Sequence, residues 1–125
     1  MKIIIIDDQA SWRMLLKHLF CSLSETISVL DFEHPKDALD AMAKETPDLV
    51  VLDYIMPGMN GLEAAKQIRS TCQRYVPIVM VSVLKDIDLR QDAFDLGCID
   101  FLSKPINLKE MQARCKSIMS MVESN

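Results

Sequence analysis

MKIIIIDDQA, residues 1–10, sets four consecutive isoleucines against two adjacent aspartates, Asp7 and Asp8. An unbroken apolar run over Ile3–Ile6 suits a strand buried on both faces, and such strands belong to parallel sheets covered by helices on both sides. Two neighbouring carboxylates at its end repel each other and resist desolvation, so something must compensate for placing them there.

Outward from this stretch, short β-branched runs alternate with helical periodicity. Trp12, Leu15, Leu16, Leu19, Phe20 and Leu23 fall on one helical stripe, with Asp8 or Ser11 as the expected N-cap. ISVLDF (27–32) reads as a second strand. Pro35, Ala38, Leu39 and Met42 read as a short helix that Pro47 keeps from extending. DLVVLD (48–53) is a third strand, and a Gly-Met-Asn-Gly turn at 58–61 leads to a helix marked by Leu62, Ala65, Ile68 and Cys72. PIVMVS (77–82) is a fourth strand, residues 86–96 a helix closed by Gly97, and CIDFLS (98–103) a fifth strand broken at Pro105. Leu108, Met111, Cys115, Ile118, Met119 and Val122 line a last helix. Five strands alternating with five helices predict an α/β fold with right-handed crossovers and helices on both faces of a parallel sheet.

A chain of 125 residues, 50% hydrophobic, suits one domain over 1–125. Fourteen Lys+Arg against 18 Asp+Glu give a net charge of −4 with no basic cluster, so direct nucleic-acid contact is not expected. No apolar run is long enough for a bilayer and no leader pattern is evident, so a cytoplasmic location away from membranes is expected. Cys21, Cys72, Cys98 and Cys115 lack C-x-x-C spacing and sit in apolar patterns, as reduced, mostly buried thiols do.

In an open parallel sheet, ligands bind beyond the carboxyl ends of the strands. The first strand ends in Asp7-Asp8, the third in Asp53, the fourth in Ser82, and the fifth runs into Lys104-Pro105. Singly, each has an ordinary reading as a turn former, a helix cap or a solvated lysine. Chance would scatter them over both edges, whereas this pattern collects three carboxylates, a hydroxyl and an ammonium at one. A hard divalent cation neutralises such a cluster, and Mg²⁺ is the usual companion of phosphoryl chemistry. Carboxylate, cation, ammonium and hydroxyl are the parts that transfer of a phosphoryl group onto an aspartate requires.

IIIIDD, VVLDYIMPGMNG, VMVS and FLSKP, in this order, resemble the response-regulator receiver domain of two-component signalling, over essentially the whole chain. The resemblance implies a sheet of order 2-1-3-4-5. It implies Asp53 as phosphoacceptor, Asp7 and Asp8 as the acidic pair holding Mg²⁺ together with Asp53 and the main-chain carbonyl of Ile55, and Lys104 as phosphoryl partner. Ser82 would be the switch hydroxyl and Phe101 the aromatic that rotates into the space Ser82 vacates. Lys104-Pro105 would be joined by a cis peptide bond. The donor would be a phosphohistidine on a sensor histidine kinase or histidine phosphotransfer protein, and a downstream protein effector would read the surface of the fourth helix, fifth strand and fifth helix. Such a domain is a switch rather than a turnover enzyme.

Three residues depart from the commonest family pattern, one of them Phe101, which lacks the hydroxyl that tyrosine has in many relatives. Val83 stands where alanine or glycine is usual, and apolar Ile55 cannot orient a hydrolytic water, which together predict a long-lived phosphate. Arg90, Asp95, Asp100, Glu110 and Arg114 look similar to the charges through which receivers of winged-helix transcription factors form symmetric dimers; a solvated mixed-charge surface is the ordinary alternative. His18 and His34 have no relay partner and read as structural, while Met111 and Met119 could face a partner.

Three other functions share part of this pattern. A phosphatase of the haloacid-dehalogenase type needs an acid two residues after its nucleophile, but Ile55 follows Asp53 there and Gln9 follows Asp7. A flavodoxin-like carrier must cradle a phosphate in its first loop, which DDQAS would repel. A receiver-like adaptor that binds its partner without phosphorylation would have no need of intact Asp7, Asp8, Asp53, Ser82 and Lys104.

Overall fold

The computed structural model describes residues 1–105 and 107–123. Ten elements alternate along them: β1 (Lys2–Ile6), α1 (Ala10–Leu23), β2 (Ser28–Phe32), α2 (Pro35–Lys44), β3 (Leu49–Asp53), α3 (Gly61–Thr71), β4 (Ile78–Ser82), α4 (Ile87–Asp95), β5 (Asp100–Ser103) and α5 (Leu108–Glu123). The strands form one parallel sheet in the order β2-β1-β3-β4-β5. The α/β reading and the strand order implied by the resemblance are both found.

Alternation of side chains along each strand sorts the core into two layers. Ile3 and Ile5 join Leu49, Val51, Val79, Val81 and Leu102 with Leu16 and Phe20 of α1 and Met111, Cys115, Ile118 and Met119 of α5. Ile4 and Ile6 join Val50, Leu52, Ile78 and Met80 with residues of α2, α3 and α4. All four isoleucines are fully buried, each contributing roughly 1.5–3 kcal/mol relative to exposure. Met111 and Met119 therefore pack inward, as their place on the α5 stripe predicts, rather than lying exposed for a partner. Leu15 and Leu108, 37% and 52% exposed, do not join the buried stripes predicted for them, Leu108 standing at the very first position of α5.

Local chemistry sets most helix ends. Pro35 starts α2. Asn60 and Glu63 form a reciprocal capping box on α3. Asp86 accepts the Asp88 N–H at the start of α4, and Gly97, at φ +84°, ends the turn that follows. The start of α1 departs from expectation: Gln9, rather than Asp8 or Ser11, holds the cap position, with no side-chain cap bond. The carboxylate that serves this turn is Asp7, whose Oδ1 accepts the Gln9 N–H at 2.9 Å.

Parallel register brings the carboxyl ends of the strands level. Asp53 lies opposite Val81, and Ser82 opposite Ser103. The Lys104 N–H donates to the Ser82 carbonyl at 2.7 Å, extending that pairing by one residue, and the Lys104-Pro105 bond is cis. No helix among the described residues is long and apolar enough to cross a membrane.

Candidate functional site

The Asp7 N–H donates to the Phe32 carbonyl at 3.1 Å, and the Tyr54 N–H to the Val81 carbonyl at 2.9 Å. Main-chain pairing thus carries Asp7 and Asp53 to the sheet edge. Both are buried, at 1% and 5% exposure, and Asp8 is half-buried. Asp7, Asp8 and Asp53 each offer an oxygen within 4.8 Å of the others. Lys104 Nζ lies 2.8 Å from Asp7 Oδ2 and 3.6 Å from Asp53 Oδ1. An open cavity of about 150 Å³ is lined by Asp8, Gln9, Asp53, Ile55, Val83 and Lys104.

Three carboxylates share one ammonium, and the imbalance falls on Asp53. Burial above all, and then the Asp7 carboxylate, push its carboxyl up to about 6; Lys104 and the Ile55 backbone N–H oppose the rise, while Asp8 adds to it. A compact set of oxygen donors carrying excess negative charge fits a hard divalent cation such as Mg²⁺. The geometry leaves Asp53 at the cavity wall beside a fixed cation, where a carboxylate oxygen is placed to act as a nucleophile.

Ser82 is fully buried at the neighbouring strand end, and its hydroxyl accepts the Leu84 N–H at 3.0 Å. Phe101, 4% exposed, packs in the layer with Met80, Leu89 and Ala93. The candidate dimer residues do not form one group. Arg90, Glu110 and Arg114 share a groove with Phe101, and Arg114 holds Asp100 through two contacts of 3.0 Å. Asp95 instead lines a separate groove with Leu62, Lys66 and Asp92 and accepts from Gln91 at 2.9 Å. Arg90 lies 5.9 Å and 6.0 Å from the Phe94 and Phe101 ring centroids. His18 and His34 are both exposed, away from the cavity.

Four supporting residues escaped the sequence reading. Gln9 Oε1 accepts from Lys104 at 3.3 Å, and the Trp12 ring centroid lies 5.0 Å from the same ammonium. Arg13 donates to the Asp7 carbonyl at 2.6 Å and pairs with Asp31 at 3.1 Å. Gly61 lets α3 approach the Asp53 loop: a Cβ there would lie 2.6 Å from Met80 Sδ and 2.8 Å from the Asp53 carbonyl oxygen. Placement of Gln9 directly after the acidic pair was the one sequence signal available; the other three read as ordinary core, helix and turn residues.

The family model for the response regulator receiver domain matches residues 3–116. The chain is 40% identical over 122 residues to a cyclic di-GMP phosphodiesterase response regulator of Xanthomonas campestris, covering 97% of this chain and 32% of the relative. It is 36% identical over 123 residues to a probable transcriptional regulator of Porphyridium aerugineum, covering 98% of this chain and 49% of that protein. The chain therefore spans from about a third to about half the length of these relatives. A solved two-component response regulator from Clostridium difficile superposes with a TM-score of 0.85 at 27% identity, covering 95% of both chains. With its sheet order, its acidic strand ends and a family match over most of its length, the chain belongs to the response-regulator receiver-domain family of two-component signalling.

Proposed function

We propose that residues 1–125 form a single receiver domain that acts as a phosphorylation-dependent switch, with Asp53 as its phosphoacceptor. The observation that carries this reading is the buried Asp53 carboxylate, 3.6 Å from Lys104 and grouped with Asp7 and Asp8. A phosphohistidine on a sensor kinase or phosphotransfer protein is the donor. An Asp53 oxygen attacks phosphorus, the P–N bond breaks, and the imidazole nitrogen leaves with the electron pair. Lys104 takes up charge on the phosphoryl oxygens. Asp7, Asp8, Asp53 and the Ile55 carbonyl would hold Mg²⁺, which when bound supplies charge neutralisation and in-line alignment of the donor phosphate.

The new charge and acceptor oxygens on Asp53 draw the Ser82 hydroxyl away from the Leu84 N–H, shifting the β4–α4 loop, and Phe101 follows. The α4-β5-α5 surface then presents a changed face to a downstream protein effector or to a second copy of the chain. This is regulation in the cytoplasm rather than turnover of an external substrate. At the cavity wall the bulk of Val83 narrows access and apolar Ile55 offers no group that orients water, so the phosphate is long-lived. Val83→Ala combined with Ile55→Asn should shorten its lifetime; an unchanged decay rate would remove this part of the reading.

Intact-mass analysis after incubation with acetyl phosphate and Mg²⁺, beside Asp53→Ala and an EDTA control, tests the whole. One phosphoryl adduct that needs both Asp53 and the metal supports the switch. Absence of an adduct would favour an adaptor that binds its partner without phosphorylation.

A further inference from the structure

Trp12, the one tryptophan of the chain, sits in the first turn of α1, packed against the layer beneath α1 and α5. Its Nε1 is buried without a hydrogen-bond partner, the one such side-chain atom among the described residues. An unpaired buried N–H is costly, and leucine or phenylalanine would fill the space without that cost. What the indole offers in exchange is its face, which lies 5.0 Å from Lys104 Nζ, and tryptophan is the strongest of the aromatic cation binders. The other contacts of this ammonium are Asp7 Oδ2 at 2.8 Å, Gln9 Oε1 at 3.3 Å and Asp53 Oδ1 at 3.6 Å.

We infer that Trp12 is a positioning residue for Lys104, holding its ammonium at the cavity wall while its hydrogen bonds pass from the carboxylates to a phosphoryl group on Asp53. The inference rests on the phosphoacceptor reading above. A hydrogen bond to Asp7 or Gln9 is directional and must break for the lysine to change partners. Attraction to a ring face varies little as the cation moves across it, so the ring supports the ammonium before, during and after the exchange. Gln9 supplies a neutral acceptor that can be released without leaving a charge unpaired. Because the ammonium lies against the chain's one indole, Trp12 emission should report the displacement of Lys104.

The experiment compares wild type, Trp12→Leu, Trp12→Phe, Lys104→Met and the Trp12→Leu/Lys104→Met pair. Phosphoryl uptake from acetyl phosphate is followed by intact mass and Mg²⁺ affinity by calorimetry. Emission is recorded with and without beryllofluoride in the two variants that keep the indole. Trp12→Leu should slow uptake about tenfold while Mg²⁺ affinity stays within about twofold. Trp12→Phe should restore most of the rate. In the Lys104→Met background, Trp12→Leu should cost nothing further, since there is no ammonium left to position. Beryllofluoride should change wild-type emission and leave Lys104→Met unchanged.

Uptake by Trp12→Leu at the wild-type rate would overturn the inference. So would an equal slowing in both backgrounds, which would mark a structural role, or a wild-type emission indifferent to beryllofluoride in protein that does take phosphate. A wild-type chain that takes up no phosphoryl group overturns the phosphoacceptor reading and this inference together, and the wild-type control separates that outcome from the others.

Discussion

The two edges of the sheet handle charge in opposite ways. At the amino edge, two cations meet two anions: Lys2 pairs with Glu45 at 2.7 Å and Arg74 with Asp48 at 3.1 Å. Asp48 also accepts the Lys2 N–H at 2.8 Å. Nearby, Arg69 donates to the carbonyls of Val76, Leu96 and Gly97 and stacks on Tyr75. At the carboxyl edge, three carboxylates share one lysine and two of them are buried. One edge is satisfied within the chain; the other is left short of positive charge, a deficit that favours a ligand cation over self-sufficiency.

Mg²⁺ should therefore stabilise the protein through the carboxyl edge alone. At a hundredfold excess over its dissociation constant it should add about 2.7 kcal/mol, read as a rise in melting temperature, and Asp8→Asn should remove most of that gain. An equal gain in Asp8→Asn would place the cation elsewhere.

Arg69→Ala should do the reverse, costing about 2 kcal/mol by taking the guanidinium donors from the Val76 and Leu96 carbonyls and leaving that of Gly97 to the Tyr75 hydroxyl alone. Phosphoryl uptake should be unchanged once the protein is folded. Urea denaturation beside the mass assay checks both, and an uptake defect would show that the two edges are coupled.

The unbalanced edge should also carry a stability cost that pH reveals. The Asp53 carboxyl is raised from 3.8 to about 6, so between these values the folded state keeps a proton that the unfolded chain has released. The associated stability is fully present below pH ~4 and lost as pH rises through about 6. Without metal at pH 7, Asp53→Asn should thus be more stable than wild type by about 1–2 kcal/mol, after discounting the shift for solvent in the open cavity. The difference should vanish near pH 4. Melts at the two pH values decide this, and a less stable Asp53→Asn at pH 7 would mean that Lys104 outweighs burial.

Arg74→Ala should have the smallest effect. Its pair with Asp48 is exposed, and a loss of under about 1 kcal/mol is expected, measurable in the same denaturation series.

Much of this architecture could be read from residues 1–10 and the runs that echo them. Ile3–Ile6 announced a strand buried on both faces, and Asp53 and Lys104 were legible because each closes a strand that ends at the same edge. Leu15 was misread because periodicity gives the direction of a helix face but not the width of the surface it meets. Met111 and Met119 lie on the stripe that periodicity marks on the last helix, and their burial in the second core layer decides between that reading and a surface facing a partner. Asp95 was grouped with Arg90, yet on α4 the two turn toward different grooves.

The sequence by itself determined the alternation of elements, the two-faced burial of the strands and the residue types at their ends, because periods of 2 and 3.6 are local properties of the backbone. Only the tertiary structure decided which charges meet. Lys104 reaches Asp7 across 97 positions and Gln9 across 95, and Trp12, packed against the core on its predicted stripe, also turns its ring face to the same ammonium. The raised carboxyl of Asp53 belongs to that second class, since burial and the approach of Asp7 exist only once the strands lie side by side.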